Sequence, residues 1–246
     1  MRLFYNFGRY YMMMSRVFKK PEKYSIYRKQ ILIEIDKLGI GSLGIVAIIS
    51  IFMGAVITIQ AAFGFTSPWV PIYAIGLTTR DSIILEFSPT IVSLILAGKV
   101  GSNIASEIGT MKVTEQVDAL EIMGINSAGY LILPKLLATI FINPLLIIIS
   151  MFLGIFGGWM FGIATHVFTS YQYIYGVQYD FNPFNITYAI IKTMVFAFII
   201  TTVSAYHGYY TEGGALEVGR SSTKAVVYSS ILILIFNFIL TQLLLA

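Results

Sequence analysis

From Ile40 through Phe65 the chain carries no charged residue. Crossing the hydrocarbon of a bilayer as a helix takes about 20 mostly apolar residues, so this run alone reads as a membrane span. In lipid, every backbone N–H and C=O has to be satisfied internally, and an uninterrupted apolar run does this as a helix. Further apolar runs extend from about Ser82 to Glu107, Leu131 to Val167, Ile186 to Tyr206 and Ala225 to Leu245. The third is too long for one perpendicular crossing and too short for two joined by a loop. It reads as one long helix that starts at the interface near Pro134 and Lys135, with Pro144 as a kink. A mean hydropathy of +0.80 over 246 residues fits this membrane class and leaves no room for a soluble domain. The fold class is therefore all-α integral membrane: an N-terminal interfacial helix, five transmembrane helices and a short cytoplasmic helix between spans two and three.

Residues 1–38 form a separate segment that precedes the 39–246 membrane domain. Arg2, Arg9, Arg16, Lys19, Lys20, Lys23, Arg28 and Lys29 alternate there with Phe4, Tyr5, Phe7, Tyr10, Tyr11, Phe18, Tyr24 and Tyr27. Bases interleaved with aromatics suit a helix lying in the headgroup layer, broken at Pro21, better than a solvated arm. No uninterrupted apolar run directly follows the first bases, so a cleaved signal peptide is not expected. Between spans three and four, Thr169 to Pro183 is rich in tyrosine and asparagine and reads as an interfacial loop. There is no internal repeat, and with no cysteine the chain can form no disulfide and no thiolate site.

The basic residues set the orientation. Nine of the 16 Lys and Arg precede Ile40, the Lys99–Lys135 stretch holds three and the Tyr206–Lys224 loop two. On the opposite side the loops hold only Arg80, while Lys192, near the start of span four, can snorkel outward. This asymmetry places the N-terminus and the loop between spans two and three in the cytoplasm, and the C-terminus outside. The clustered positive charge points to an anionic membrane surface, not to nucleic acid.

The polar stretch AGKVGSNIASEIGTMKVTEQVDALEIMGI, Ala97 to Ile125, stands out against the apolar runs. Its Gly98-Lys99 is not a phosphate loop: Walker A needs a glycine five positions before the Gly-Lys and a Ser or Thr after it, and here Ser93 and Val100 occupy those places. Gly98, Gly101, Ser102, Ala105, Ser106 and Gly109 recur every three or four residues and form a small-residue face for close helix packing. From Thr114 to Gly124 the pattern changes. Thr114 is placed as an N-cap, Glu115 and Asp118 put negative charge in the first turn, and Gly124 can close the helix left-handed. Val117, Ala119, Leu120 and Met123 share one side, Glu115, Asp118 and Glu121 the other. So short a helix is marginal alone and needs a surface: either the headgroup layer or a protein partner. Three acids and no base on the exposed face favour the partner.

Other chemistry is sparse. Glu86, near the outer end of span two, is either solvated or functional; Glu107 reads as a solvated charge at the cytoplasmic interface. His166 and His207 fall at opposite membrane faces and cannot share a metal. No nucleophile, base or metal-ligand constellation is present in the pattern, so neither catalytic nor metal residues are expected.

Ala97–Gly124 closely resembles the signature of the MlaE/YrbE-type permeases, the membrane subunits of ABC systems that move phospholipids between bacterial inner and outer membranes. The family pattern is like AGRxGSxxxAEIGTMxxTEQxDALExMG, with Lys99 here for the usual arginine. A second block, GYYTEGGALEVGRSSTKAVVYSSILILIFNFILT from Gly208 to Thr241, is similar to the family's ending. LEFSP, Leu85 to Pro89, is a poorer copy of RELGP: Glu86 and Pro89 agree, but Leu85 replaces arginine and Ser88 replaces glycine.

The resemblance implies a homodimer of the permease in the bacterial inner membrane, carrying two cytoplasmic ABC ATPase subunits and a periplasmic ring of MCE-domain protein. ATP and magnesium would bind the ATPase, leaving this chain without a cofactor and not itself an enzyme. The family's coupling helix maps to residues 115–123, with Glu115, Gln116, Asp118, Leu120, Glu121 and Met123 facing the ATPase. A lipid site at the dimer axis maps to Ile57, Gln60, Ala61, Gly64 and Glu86, and Gly98, Gly101, Ser102 and Ala105 serve helix packing. The rival classes are an integral-membrane lipid-modifying enzyme, which would need a polar cluster that the spans lack, and an ion-coupled carrier, which would need more intramembrane charge.

Overall fold

A computed structural model describes residues 2–19, 24–65 and 69–245. Pro21, where the basic segment is expected to break, lies outside them. The described helices are α1 (Arg2–Val17), α2 (Tyr24–Glu34), α3 (Gly41–Gly64), α4 (Ala74–Ser82), α5 (Val92–Leu96), α6 (Ser102–Val113), α7 (Gln116–Ile122), α8 (Ser127–Ala164), α9 (Ser170–Gln178), α10 (Phe184–Tyr209) and α11 (Ala215–Leu245). π-helical stretches, Ile35–Ile40, Ile83–Ile91 and Ala97–Gly101, join α2 to α3, α4 to α5 and α5 to α6. Among the described residues, five continuous runs are long and apolar enough to span a membrane: Tyr27–Gly64, Ala74–Val113, Ser127–Ala164, Phe184–Tyr209 and Ala215–Leu245. The fold is all-α and the spans number five, as the hydropathy pattern indicates.

Close approaches fix how the spans run. Gly39 meets Ile142, Ser50 bonds Ser150, Gly54 meets Gly154 and Thr58 meets Gly158, so spans one and three are parallel with a nearly constant offset. Glu86 pairs with Lys192, Gly101 meets Ser204 and Ala105 meets Gly208, so spans two and four are parallel as well. Span five opposes span two, because Asn237 reaches Glu86 while Val218 packs on Gly109. Buried hydroxyls join the layers: Ser50 donates to Ser150 (2.8 Å), which donates to Ser88 (3.0 Å), and Thr139 lies 2.6 Å from Thr201. Without a hydrophobic force between helices in lipid, such bonds and backbone contact are what select one packing.

Several expectations need correction. Thr169–Pro183 is not a loop: Thr169 and Gln172 form a reciprocal capping box that starts α9, and Arg80 donates to the carbonyls of Val177 and Tyr179 at its end. The 24–38 part of the basic segment is helical straight into span one, so only α1 stands apart. In α1, Met13 and Val17 are buried and Tyr10 donates to Thr202 (2.9 Å), while Phe4, Phe7 and Tyr11 are exposed. Burial raises the pKa of the Tyr10 phenol above its ordinary value, its bond to Thr202 opposing this.

Candidate functional site

Two polar constellations interrupt the apolar body, one at each end of the membrane layer. The first is built on Glu86, in the π-helical stretch Ile83–Ile91 that also accommodates Pro89. Lys192 of α10 was expected to snorkel outward. It is instead fully enclosed, with 0% of its side chain exposed, and its ammonium donates to Glu86 Oε1 (3.0 Å), Tyr188 Oη (2.8 Å) and the Leu85 carbonyl (3.2 Å). Enclosure by spans two, four and five leaves the stem no route to water. Glu86 Oε2 accepts from Thr90 (3.0 Å) and Asn237 Nδ2 (3.2 Å), yet 48% of its side chain stays open. The carboxylate is thus held from behind and accessible in front. Tyr188/Lys192 and Asn237/Thr241, each four apart on a helix face, are the sequence signal for this cluster.

Of the other residues expected at a lipid site, Ile57, Gln60, Ala61 and Gly64 lie along one face of α3. Gln60 and Gly64 are exposed, Ile57 and Ala61 half-buried. Helix α3 packs on α8 and α4, whereas Glu86 faces α10 and α11, so a single chain does not bring the five together.

At the opposite end, Glu107 is not a free solvated charge. It bridges Lys37 (2.5 Å) and Lys135 (2.9 Å), and Lys135 also holds Glu34 (2.5 Å). Lys135 is only 3% exposed, so its charge demands these counter-ions. In the small-residue face, Gly101, Gly109 and Ala105, the last against Gly208, make close contacts with α10 and α11, and the Ser102 carbonyl accepts from Ser222. Gly98 faces open space within the chain.

Beyond α6 the chain turns into α7. Glu115, not Thr114, holds the N-cap place, with a left-handed φ of 61°, and the Thr114 hydroxyl donates back to the Thr110 carbonyl (2.8 Å). Gly124 closes the helix with φ 77°, as its position requires. Val117 is buried and Leu120 half-buried against the core, but Met123, expected on that inner side, is 65% exposed next to Ile122 at 87%. Gln116 is exposed. Asp118 pairs with Lys112 (2.6 Å), and Glu121 accepts from Ser127 (2.9 Å) and Tyr209 (3.0 Å), the ends of spans three and four. Helix α7 is therefore fastened to three spans while offering an apolar tip. Among the described residues no three His, Cys, Asp or Glu group as a metal site would. His166 follows α8 at the α9 end, while His207 stacks on Tyr228 at the α7 end.

Residues 31–243 match the family model described as permease MlaE. The chain is 39% identical over 229 residues to a probable ABC transporter permease protein of Rickettsia bellii (strain RML369-C), covering 93% of this chain and 86% of that protein. It is 40% identical, with the same coverage, to a probable ABC transporter permease protein of Rickettsia prowazekii (strain Madrid E). The chloroplastic protein TRIGALACTOSYLDIACYLGLYCEROL 1 of Arabidopsis thaliana is 33% identical over 220 residues, 89% of this chain and 63% of that protein.

Proposed function

The chain belongs to the MlaE permease family, and from that premise we propose that it is the membrane subunit of an ABC transporter that moves phospholipid between inner and outer membranes. Two copies form the membrane core in the bacterial inner membrane, with the α7 end in the cytoplasm and the C-terminus in the periplasm. Two ATPase subunits bind ATP and magnesium and work from the cytoplasmic side, and an MCE-domain ring receives or delivers lipid outside. The observation that carries this reading is α7: a short helix between spans, tied to spans three and four through Glu121, that leaves Ile122 and Met123 uncovered. Exposed apolar residues at the tip of a fastened helix suit a protein socket and a push transmitted inward.

The lipid site is placed on the α3 face of Ile57, Gln60, Ala61 and Gly64 together with Glu86, assembled between two copies. Support comes from the open half of Glu86 and from the first and last spans, which bury little of themselves within one chain.

Replacing both Ile122 and Met123 by glutamate is expected to reduce retention of the organism's own co-expressed ABC ATPase about thirtyfold or more, the scale of losing an interface hot spot. Affinity purification in detergent with quantified ATPase checks it; undiminished retention would remove α7 as the coupling element.

A further inference from the structure

Two of the three acids on α7, Asp118 and Glu121, are engaged within the chain, and the third, Glu115, stands exposed at the N-cap. Asp118 Oδ1 holds Lys112, and Glu121 Oε1 accepts from both Ser127 and Tyr209, so these two carboxylates are already tied to the ends of three spans. At its C-terminal end, away from Glu115, α7 leaves two apolar side chains uncovered, Ile122 and Met123. Glu121 and Gly124, which bracket that pair, line a cleft of about 350 Å³ whose other wall includes Arg16 and Lys19 from the end of α1. Both bases are exposed, and neither is in a salt bridge among the described residues. Two cations against one already engaged carboxylate give the cleft a positive margin.

Resting on the ATPase reading above, we propose that the docking surface is an apolar knob with a basic margin, so the ATPase presents an apolar socket rimmed by acidic side chains. Burial of Ile122 and Met123 supplies affinity, and Arg16 and Lys19 set approach and register. Asp118 and Glu121 are positioning residues: they hold α7 to α6 and to spans three and four and do not touch the ATPase. The charge complementarity is opposite to what the acid-faced helix suggests when read from sequence. Bases at this depth could also meet anionic headgroups, a different partner that the same experiment separates.

The test uses the full chain co-expressed with its organism's ABC ATPases and purified in detergent. The double variant Arg16→Glu/Lys19→Glu is expected to weaken ATPase binding about tenfold or more, and Lys19→Glu alone, at an exposed side chain, keeps the result readable if the double variant folds poorly. Glu121→Gln and Asp118→Asn are expected to keep wild-type ATPase affinity, with Glu121→Gln lowering phospholipid-stimulated ATP turnover of the assembled complex, a readout that loss of stability alone would not move at unchanged assembly. Loss of affinity on neutralising either acid would overturn the proposal. So would charge reversal that leaves ATPase affinity intact, including reversal that weakens only binding to phosphatidylglycerol vesicles. A wild-type chain that retains no ATPase sinks the subunit reading itself.

Discussion

Glu86→Gln is expected to destabilise the folded chain by about 3–5 kcal/mol, the cost of stranding a buried charge, and Lys192→Met by clearly less. The asymmetry follows from exposure. Lys192 has 0% of its side chain open, so once Glu86 is an amide its ammonium has neutral oxygens alone, those of the amide, the Tyr188 hydroxyl, the Leu85 carbonyl and a distant Thr241. Neutral oxygens do not offset the desolvation of a full charge inside a membrane layer. Glu86, by contrast, is 48% open and keeps Thr90 and Asn237, so losing the lysine leaves a carboxylate that can still be solvated. The double variant Glu86→Gln/Lys192→Met should recover much of the loss, because no unpaired charge then remains. Unfolding in mixed micelles, monitored for the wild type and all three variants, reads these differences. Equal losses in the two single variants, or a double variant no better than Glu86→Gln, would mean that the pair is not enclosed as described.

The same cluster shows where sequence reading stops. Apolar length was enough for the number and type of the spans, since satisfying the backbone in lipid leaves helices as the answer wherever such runs occur. Gly124 was legible for a similar reason, its left-handed closure being a local demand. Pairings between distant segments were not. Lys192, six residues beyond Ile186, looked free to snorkel, and only the packing of three spans around it removes that freedom. Glu107 looked solvated because its partners, Lys37 and Lys135, lie 70 and 28 positions away. The capping box of Thr169 and Gln172 was written in the sequence, yet tyrosine and asparagine content masked it as a loop. On α7 the periodicity divided acids from apolar residues, but Met123 sits at the closing turn, where the helical period no longer decides which way a side chain faces.

Gly54→Ala is expected to be as damaging as any single methyl can be here, about 3 kcal/mol or more at the upper end of overpacking costs, while Gly98→Ala should change stability by no more than about 1 kcal/mol, with helix propensity in its favour. Small residues mark close helix approach in membranes, and the sequence placed that face on span two. The tightest approach is instead between spans one and three. A Cβ on Gly54 would lie 1.9 Å from the Gly154 carbonyl oxygen, and one on Gly157 would lie 2.3 Å from that of Ile51. Backbone cannot rotate away as a side chain can, so the added methyl has to push the two spans apart along their shared length. That separation also pulls Ser50 from Ser150 and so breaks the hydroxyl chain to Ser88. A Cβ on Gly98 meets nothing within 4 Å, which makes it the matched control. Thermal unfolding and gel-filtration homogeneity of both variants in the same detergent decide the matter: Gly54→Ala within about 0.5 kcal/mol of the wild type, well below any overpacking cost, would show that spans one and three do not meet backbone to backbone in this register.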